Sequence, residues 1–234
     1  MLKIKKYKKS ILILITIGLI SVLSIYVFQI NKWKKYYTNK LYQPARDIII
    51  EALDLFKKEN IKPDKAIDLG SGVGNETALL LKNGWKVWAI DSQNMAIKTL
   101  LDRKDIKENL ANLKTIVWKF EDINWNLLPN VNLIVASYSL PFCNPKDFDN
   151  LWKNLINKLN INGRFAGHFF GTKYQGFSQK EMSKMTFLTK QQIHNLFKDF
   201  KIEKFEEVYE KGLSGTGNNI IEHSFKVIAK KIVG

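Results

Sequence analysis

The sequence predicts an α/β fold, a Rossmann-like sheet of seven strands flanked by helices, preceded by one apolar N-terminal helix. Three observations predict it. The run Ala66-Ile67-Asp68-Leu69 leads into Gly70-Ser71-Gly72-Val73-Gly74 and then into Glu76–Lys82 with helical apolar spacing, which reads as a strand, a tight turn and a helix start. A second apolar run, residues 86–91, ends in Asp91, and an acid about 20 residues past such glycines is placed to accept ribose hydroxyls at the carboxyl ends of the strands. Residues 131–136 are nearly all apolar, as a central parallel strand buried on both faces must be.

Taken in order, residues 1–10 are a basic tail, and Ile11 to Phe28 form an apolar run interrupted only by Thr16, Gly18, Ser21 and Ser24. A helix over that run rises about 27 Å, close to the roughly 30 Å hydrocarbon core, so residues 11–30 are expected to be a transmembrane anchor. A cleaved signal peptide and a surface-lying helix are the rival readings; no small-x-small site follows Phe28, and the run is long for a signal core. Residues 31–41 form a basic aromatic linker in which Trp33, Tyr36 and Tyr37 suit the membrane interface. Residues 42–234 are left for the domain.

Within the domain, Ile49, Ala52, Leu53, Leu55 and Phe56 predict a helix from Tyr42 to Glu59 with Pro44 in its first turn. Strand 65–69, the glycine turn, a helix closing at Asn83-Gly84 and strand 86–91 follow. Ser92 to Leu101 is expected to be helical, and capping that helix is the alternative role for Asp91. A third strand over 114–119 leads into Phe120-Glu121-Asp122-Ile123, and the fourth, 131–136, into Ser137-Tyr138-Ser139-Leu140-Pro141-Phe142-Cys143. The helix 146–159 shows one stripe of Phe148, Leu151, Trp152, Leu155 and Leu159, which reads as core. A turn at Asn162-Gly163 precedes strand 164–170. Residues 171–185 lack periodicity and are a candidate lid of the kind that carries specificity. Thr189 caps a helix to Phe197, and strands 200–210 and 220–232 flank the loop 212–219.

The net charge is +15. Nine of those charges are lysines within residues 1–40, where no acid occurs, leaving +6 spread over residues 41–234. There is no clustered arginine and aromatic pattern, so a nucleic-acid partner is not expected. The single cysteine, Cys143, excludes an intrachain disulfide and any multi-Cys metal site, and no paired His/Cys spacing suggests a metal.

The glycine spacing discriminates between ligands. In G-x-G-x-x-G the third glycine falls three positions after the second; here that position is Asn75, which disfavours a dinucleotide, and the P-loop pattern is absent. Asp68-x-Gly70-x-Gly72-x-Gly74 resembles the first motif of class I S-adenosylmethionine (SAM)-dependent methyltransferases. With Asp91, Asp122, Tyr138-Ser-Leu-Pro-Phe-Cys and Asn162-Gly-Arg-Phe-Ala-Gly, the resemblance covers the chain from about residue 42 to its end. Ser139-Leu-Pro-Phe-Cys, Met185-Thr-Phe-Leu-Thr and Ile221-Glu-His-Ser-Phe-Lys are similar to the bacterial branch related to tellurite-resistance methyltransferases.

The resemblance implies a seven-stranded methyltransferase sheet with SAM as cofactor. Asp68, Gly70, Gly72 and Gly74 would take its amino acid part, Asp91 with Ser92 the ribose, and Asp122 with the backbone of Ile123 the adenine. Arg46 would meet the SAM carboxylate; its rival reading is a solvated surface arginine. The loop after the fourth strand would lie beside the methyl, and it lacks the Asn/Asp-Pro-Pro-aromatic motif of nucleobase and protein-glutamine methylation. Alignment carries most of such catalysis, with a base needed only when the acceptor must lose a proton; Tyr138, His168 and His223 are the candidates. The expected acceptor is a small or lipid-soluble molecule. Five lysines precede the apolar run and four follow it closely, so the positive-inside count is nearly balanced, and the cytosolic supply of SAM places the domain on the cytoplasmic side. A membrane-tethered SAM-binding domain without turnover is the alternative from another class.

Overall fold

Short, mostly apolar segments bury their side chains by pairing side by side, and four of them form the parallel heart of the sheet. They are β1 (Lys65–Leu69), β2 (Lys86–Asp91), β3 (Leu113–Val117) and β4 (Val131–Ala136), joined by the longer β5 (Leu159–Gly171). The computed structural model describes residues 33–214 and 216–233. Two antiparallel strands, β7 (Phe200–Leu213) and β8 (Asn219–Lys231), complete one edge, and β6 (Phe187–Leu188) pairs with the end of β5. The order is β3-β2-β1-β4-β5-β8-β7, with β6 beside β5. The sheet thus has eight strands where seven were expected, because the short β6 carries too little sequence signal to be read as a strand.

Side chains alternate across each strand, which gives the sheet two buried faces. Ile67, Leu69, Ile134, Phe165, Phe169, Phe225 and Val227 meet α5 (Pro145–Asn157) and α7 (Lys190–Leu196) through Trp152, Leu155, Ile193 and Phe197, the short α6 (Gln179–Met182) lying between these helices in the chain. The opposite face buries Ala66, Val87, Ala89, Leu133, Val135, Ala166 and Ile228. It does so against α1 (Asp47–Lys58), α2 (Asn75–Lys82) and α3 (Asn94–Asp102), with Ile106 from the short α4 (Lys104–Lys107).

Local chemistry sets the boundaries, and several differ from expectation. Helix α1 starts at Asp47, not Tyr42: Tyr42 has φ of 58°, and Arg46 is the N-cap in an extended conformation. Pro44 therefore precedes the helix, where it biases Gln43 away from helical angles. Helix α3 starts at Asn94, since Ser92 and Gln93 belong to a turn in which the Gln93 N–H donates to Asp91 Oδ1 at 2.8 Å. Strand β3 runs from Leu113 to Val117, and its last ladder bond to β2 is the Trp118 N–H donated to the Asp91 carbonyl at 3.1 Å. Helix α5 begins at Pro145 under an Asn144 cap and stops at Asn157. The Asn162-Gly163 turn is an irregularity inside β5: the register passes from Val131↔Leu159 to Leu133↔Arg164, with Asn162 at φ 65°. Thr189 caps α7 with a capping box to Gln192, as expected.

Of residues 1–39, which form a separate unit, residues 33–39 are described and are helical, with the rings of Trp33, Tyr36 and Tyr37 5.6–5.7 Å apart. The expected linker is thus helical there. No helix among the described residues is long and apolar enough to cross a membrane; the expected anchor, residues 11–30, lies outside the described residues.

Candidate functional site

Parallel strands present their carboxyl ends at one edge of a sheet, and the order β3-β2-β1-β4 sets the Phe120–Asp122 turn, Asp91, the glycine turn and the Tyr138 loop side by side there. The glycine turn is tied down from both sides. The N–H groups of Gly70 and Ser71 donate to the Ile90 carbonyl at 2.7 and 3.0 Å, and the Gly72 N–H donates to Asp91 Oδ2 at 2.9 Å. Gly70, Gly72 and Gly74 all have positive φ, of 75°, 53° and 81°. Two of them answer the protein's own packing as well as any ligand: a Cβ on Gly70 would overlap Ser139 Cβ, and one on Gly74 would lie 2.6 Å from Leu100 Cγ.

Asp68 is 1 % exposed, and the Thr77 hydroxyl donates to its Oδ2 at 2.6 Å. Burial, reinforced by Glu76 and Asp91, raises its carboxyl well above the usual carboxylate range. Asp68 therefore acts on the site by holding the first turn of α2 to β1. Asp91 is 9 % exposed, with its two oxygens on the Gly72 and Gln93 N–H groups. Ser92 is exposed and accepts from Gln93 Nε2 at 3.1 Å. Asp122 is exposed in the 3-10 turn Phe120–Asp122, and Ile123 is buried in the same apolar cluster as Leu69 and Ile90.

Two of the three candidate bases, Tyr138 and His168, are brought together, and His223 stands apart from them. Tyr138, at φ 53°, stacks on His168 with centroids 3.9 Å apart and planes at 17°, while the Arg46 guanidinium stands 5.1 Å from the Tyr138 ring. His223 follows Glu222 on β8 and shares the opposite face of the sheet with Phe225 and Phe169. Tyr138 and His168 are poorly disposed to take a proton, and His223 is engaged on both ring nitrogens. The Tyr138 hydroxyl donates to Glu222 Oε1 at 2.7 Å, and burial and that carboxylate raise its pKa. His168 is 1 % exposed, and burial, then Arg46 and Lys226, lower it to about 3. His223 Nδ1 accepts the Lys173 N–H at 2.9 Å, which leaves Nε2 to donate to Glu207 at 3.1 Å.

Sequence reasoning missed Arg103, Ser139 and Glu222. Arg103 is 4 % exposed; its Nη1 donates to the Val73 carbonyl at 3.0 Å and to Asn75 Oδ1, bracing the glycine turn. Ser139 donates to the Leu69 carbonyl. No local pattern marks a partner 30 or 70 residues away.

Two buried polar atoms at this edge lack partners among the described residues: Ser71 Oγ in the glycine turn and His168 Nδ1 beneath Tyr138. A buried unpaired polar atom is costly, and Ser71 lies where a ligand above the turn would complete it. A turn of three positive-φ glycines, an orphaned hydroxyl and an adjoining carboxylate fit the amino acid and ribose parts of SAM.

Comparison with known proteins bears on the family and the fold. A family model described as tellurite resistance protein TehB matches residues 28–209. The chain belongs to the TehB family. Two curated relatives from Haemophilus influenzae strains, named "Probable S-adenosyl-L-methionine-dependent methyltransferase TehB", are each 33 % identical over 104 residues, 44 % of this chain and 35 % of the relative. The chain thus matches about a third of the length of these relatives. The crystal structure of TehB from Haemophilus influenzae superposes with a TM-score of 0.64 at 20 % identity, over 77 % of this chain and 61 % of that one. A Burkholderia thailandensis 1,6-didemethyltoxoflavin-N1-methyltransferase, solved with its acceptor and S-adenosylhomocysteine, superposes at 0.58 and 15 % identity over 80 % and 79 % of the two chains. The Synechocystis magnesium protoporphyrin IX methyltransferase ChlM, solved with SAM, does so at 0.59 and 11 % over 85 % and 90 %. At these identities the structural likeness is one of fold.

Proposed function

We propose that this TehB-family chain is a SAM-dependent methyltransferase acting on a small-molecule or lipid-soluble acceptor, anchored to a membrane by residues 11–30 with its domain on the cytoplasmic side. The observation that carries the reading is the joint between the glycine turn and Asp91, where Gly72 N–H meets the carboxylate at 2.9 Å beside the orphaned Ser71 hydroxyl. When bound, SAM supplies a methyl group activated by its sulfonium. The glycine turn and Ser71 would hold its amino acid part, Asp91 its ribose, and the Asp122-Ile123 turn its adenine. Arg46, whose guanidinium lies 5.1 Å from the Tyr138 ring, would supply a cation for its carboxylate. The Burkholderia relative holds 1,6-didemethyltoxoflavin and ChlM is named for magnesium protoporphyrin IX; a small acceptor here follows by analogy. The apolar run of residues 11–28 and its flanking lysines support the anchor.

A binding domain without turnover is the second reading, and the engaged or deactivated state of Tyr138, His168 and His223 favours it. Calorimetry with S-adenosylhomocysteine tests the first part. Wild type should bind, and Asp91→Ala should weaken binding by roughly 1.5–3 kcal/mol, the scale of hydrogen bonds to a charged group. Unchanged affinity in a folded Asp91→Ala protein would remove the ribose assignment. A methyl-transfer screen with SAM then separates turnover from binding alone.

A further inference from the structure

Resting on the reading of this edge as a methyl-acceptor site, we infer that Glu222 is the residue that recognises the acceptor, which therefore presents an N–H or O–H donor and not an oxyanion. The register of β8 against β5 pairs Ser224 with Phe170 and Lys226 with His168, so Glu222 shares the face of the sheet that carries His168. Two hydroxyls converge on one oxygen of its carboxylate: Tyr138 donates to Oε1 at 2.7 Å and Ser224 at 2.6 Å. The side chain is only half-buried, and Oε2 accepts no hydrogen bond among the described residues. One oxygen is held and the other is left to bind.

The carboxylate also stands at the right place. Tyr138 is the residue before Ser139, whose hydroxyl reaches the Leu69 carbonyl and whose Cβ fills the space beside Gly70. The Tyr138–Glu222 bond thus extends directly from the wall of the glycine turn. Tyr138 adopts φ of 53°, a strained conformation for a bulky residue, and such strain persists where surrounding contacts hold it and collects at functional sites. His168, stacked beneath Tyr138, keeps Nδ1 without a partner.

The surrounding charges leave Glu222 unneutralised. Lys226, four residues along β8, gives its ammonium to Glu206 at 2.7 Å. Arg46 lies over the Tyr138 ring and does not bond to Glu222. The Tyr174 hydroxyl stays protonated, raised to about 12 by burial and then by Glu222 itself. An anion brought to Oε2 would meet a like charge, whereas a donor would complete the carboxylate. Phe170 packs tilted against the Tyr138 ring at 6.1 Å, and Tyr174 and Phe187 stack on Phe170 in turn, an aromatic wall that suits an aromatic body on the acceptor. A small aromatic amine or phenol combines both features.

The test titrates the full chain by calorimetry, with and without saturating S-adenosylhomocysteine, using tyramine as the donor probe and sodium tellurite as the oxyanion probe. Wild type should bind tyramine and not tellurite. Glu222→Gln should weaken tyramine roughly tenfold or more, the scale of a hydrogen bond to a charged group. Glu222→Lys should shift the preference towards tellurite, which a purely structural role would not do. Tyr138→Phe, which keeps the ring on His168, should weaken tyramine by a smaller factor. S-adenosylhomocysteine affinity should be the same in Glu222→Gln as in wild type, which also reports its folding. Tellurite preferred by wild type, no tyramine binding, or undiminished binding by Glu222→Gln would each overturn the inference. Failure of wild type to bind S-adenosylhomocysteine would instead count against the methyltransferase reading, and the titration without it would still report on Glu222.

Discussion

His168 is a basic side chain that the fold keeps uncharged. At 1 % exposure it stacks on Tyr138, and burial, with Arg46 and Lys226 adding, lowers it to about 3. An unfolded histidine titrates near about 6.5, so below that pH the unfolded chain binds a proton that the folded chain refuses. The folded state therefore has the neutral ring's full contribution above about pH 6.5 and loses it as pH falls towards the folded value, by up to about 1.4 kcal/mol per pH unit. Urea unfolding at about pH 7 and about pH 5 should show this loss, and His168→Phe, which retains a ring against Tyr138, should flatten the dependence. An equal pH slope in the variant would mean that other groups carry it.

At the scale of elements, the position of α1 matters because its N-cap, Arg46, reaches the Tyr138 ring. The opposite end of that helix is fastened by Arg164, which is fully buried on β5. Its Nε and Nη2 donate to Glu203 on β7 at 2.7 and 2.9 Å, and Nη2 also donates to Glu59, the C-cap of α1, at 2.7 Å. Phe56 packs 4.6 Å from the guanidinium, and Lys230 adds a second cation on Glu59 at 3.0 Å. Breaking a buried ion pair from one side strands the partner charges and costs about 3–5 kcal/mol, whereas an apolar replacement of similar volume recovers part of that. Arg164→Ala should lose that much stability in urea titrations and Arg164→Met less. A loss below about 1 kcal/mol in Arg164→Ala would show that α1 is held by its apolar face alone.

At the scale of the whole molecule, charge and apolar patterning divide the chain. Residues 1–40 hold nine lysines and no acid around the run of residues 11–28. A membrane-anchored protein with that pattern should sediment with membranes, resist extraction by high salt and dissolve in detergent, while a chain lacking residues 1–32 should become extractable by salt. Release of the full chain by salt alone would reduce the association to lysines on anionic headgroups. A reporter fused after Gly234 reads the side: alkaline phosphatase activity would place the domain outside and remove its supply of SAM.

The sequence alone determined the order of strands and helices around the glycine turn, because periodicity, glycine placement and caps act over a few residues; β1, β2 and β4 have the bounds their apolar runs predict. It also marked Asp91 and the glycine turn as neighbours, since a parallel sheet carries successive strand ends to one edge. It could not show that Gly70 and Gly74 are required by Ser139 and Leu100, or that Arg103 braces the turn from 30 residues away. Nor could it part His223 from His168, which depends on the face each strand position takes once β8 pairs antiparallel to β5. Only the tertiary structure joined Tyr138 to Glu222 across 84 residues, because that contact depends on strand register and side-chain reach, and neither leaves a local pattern in the chain.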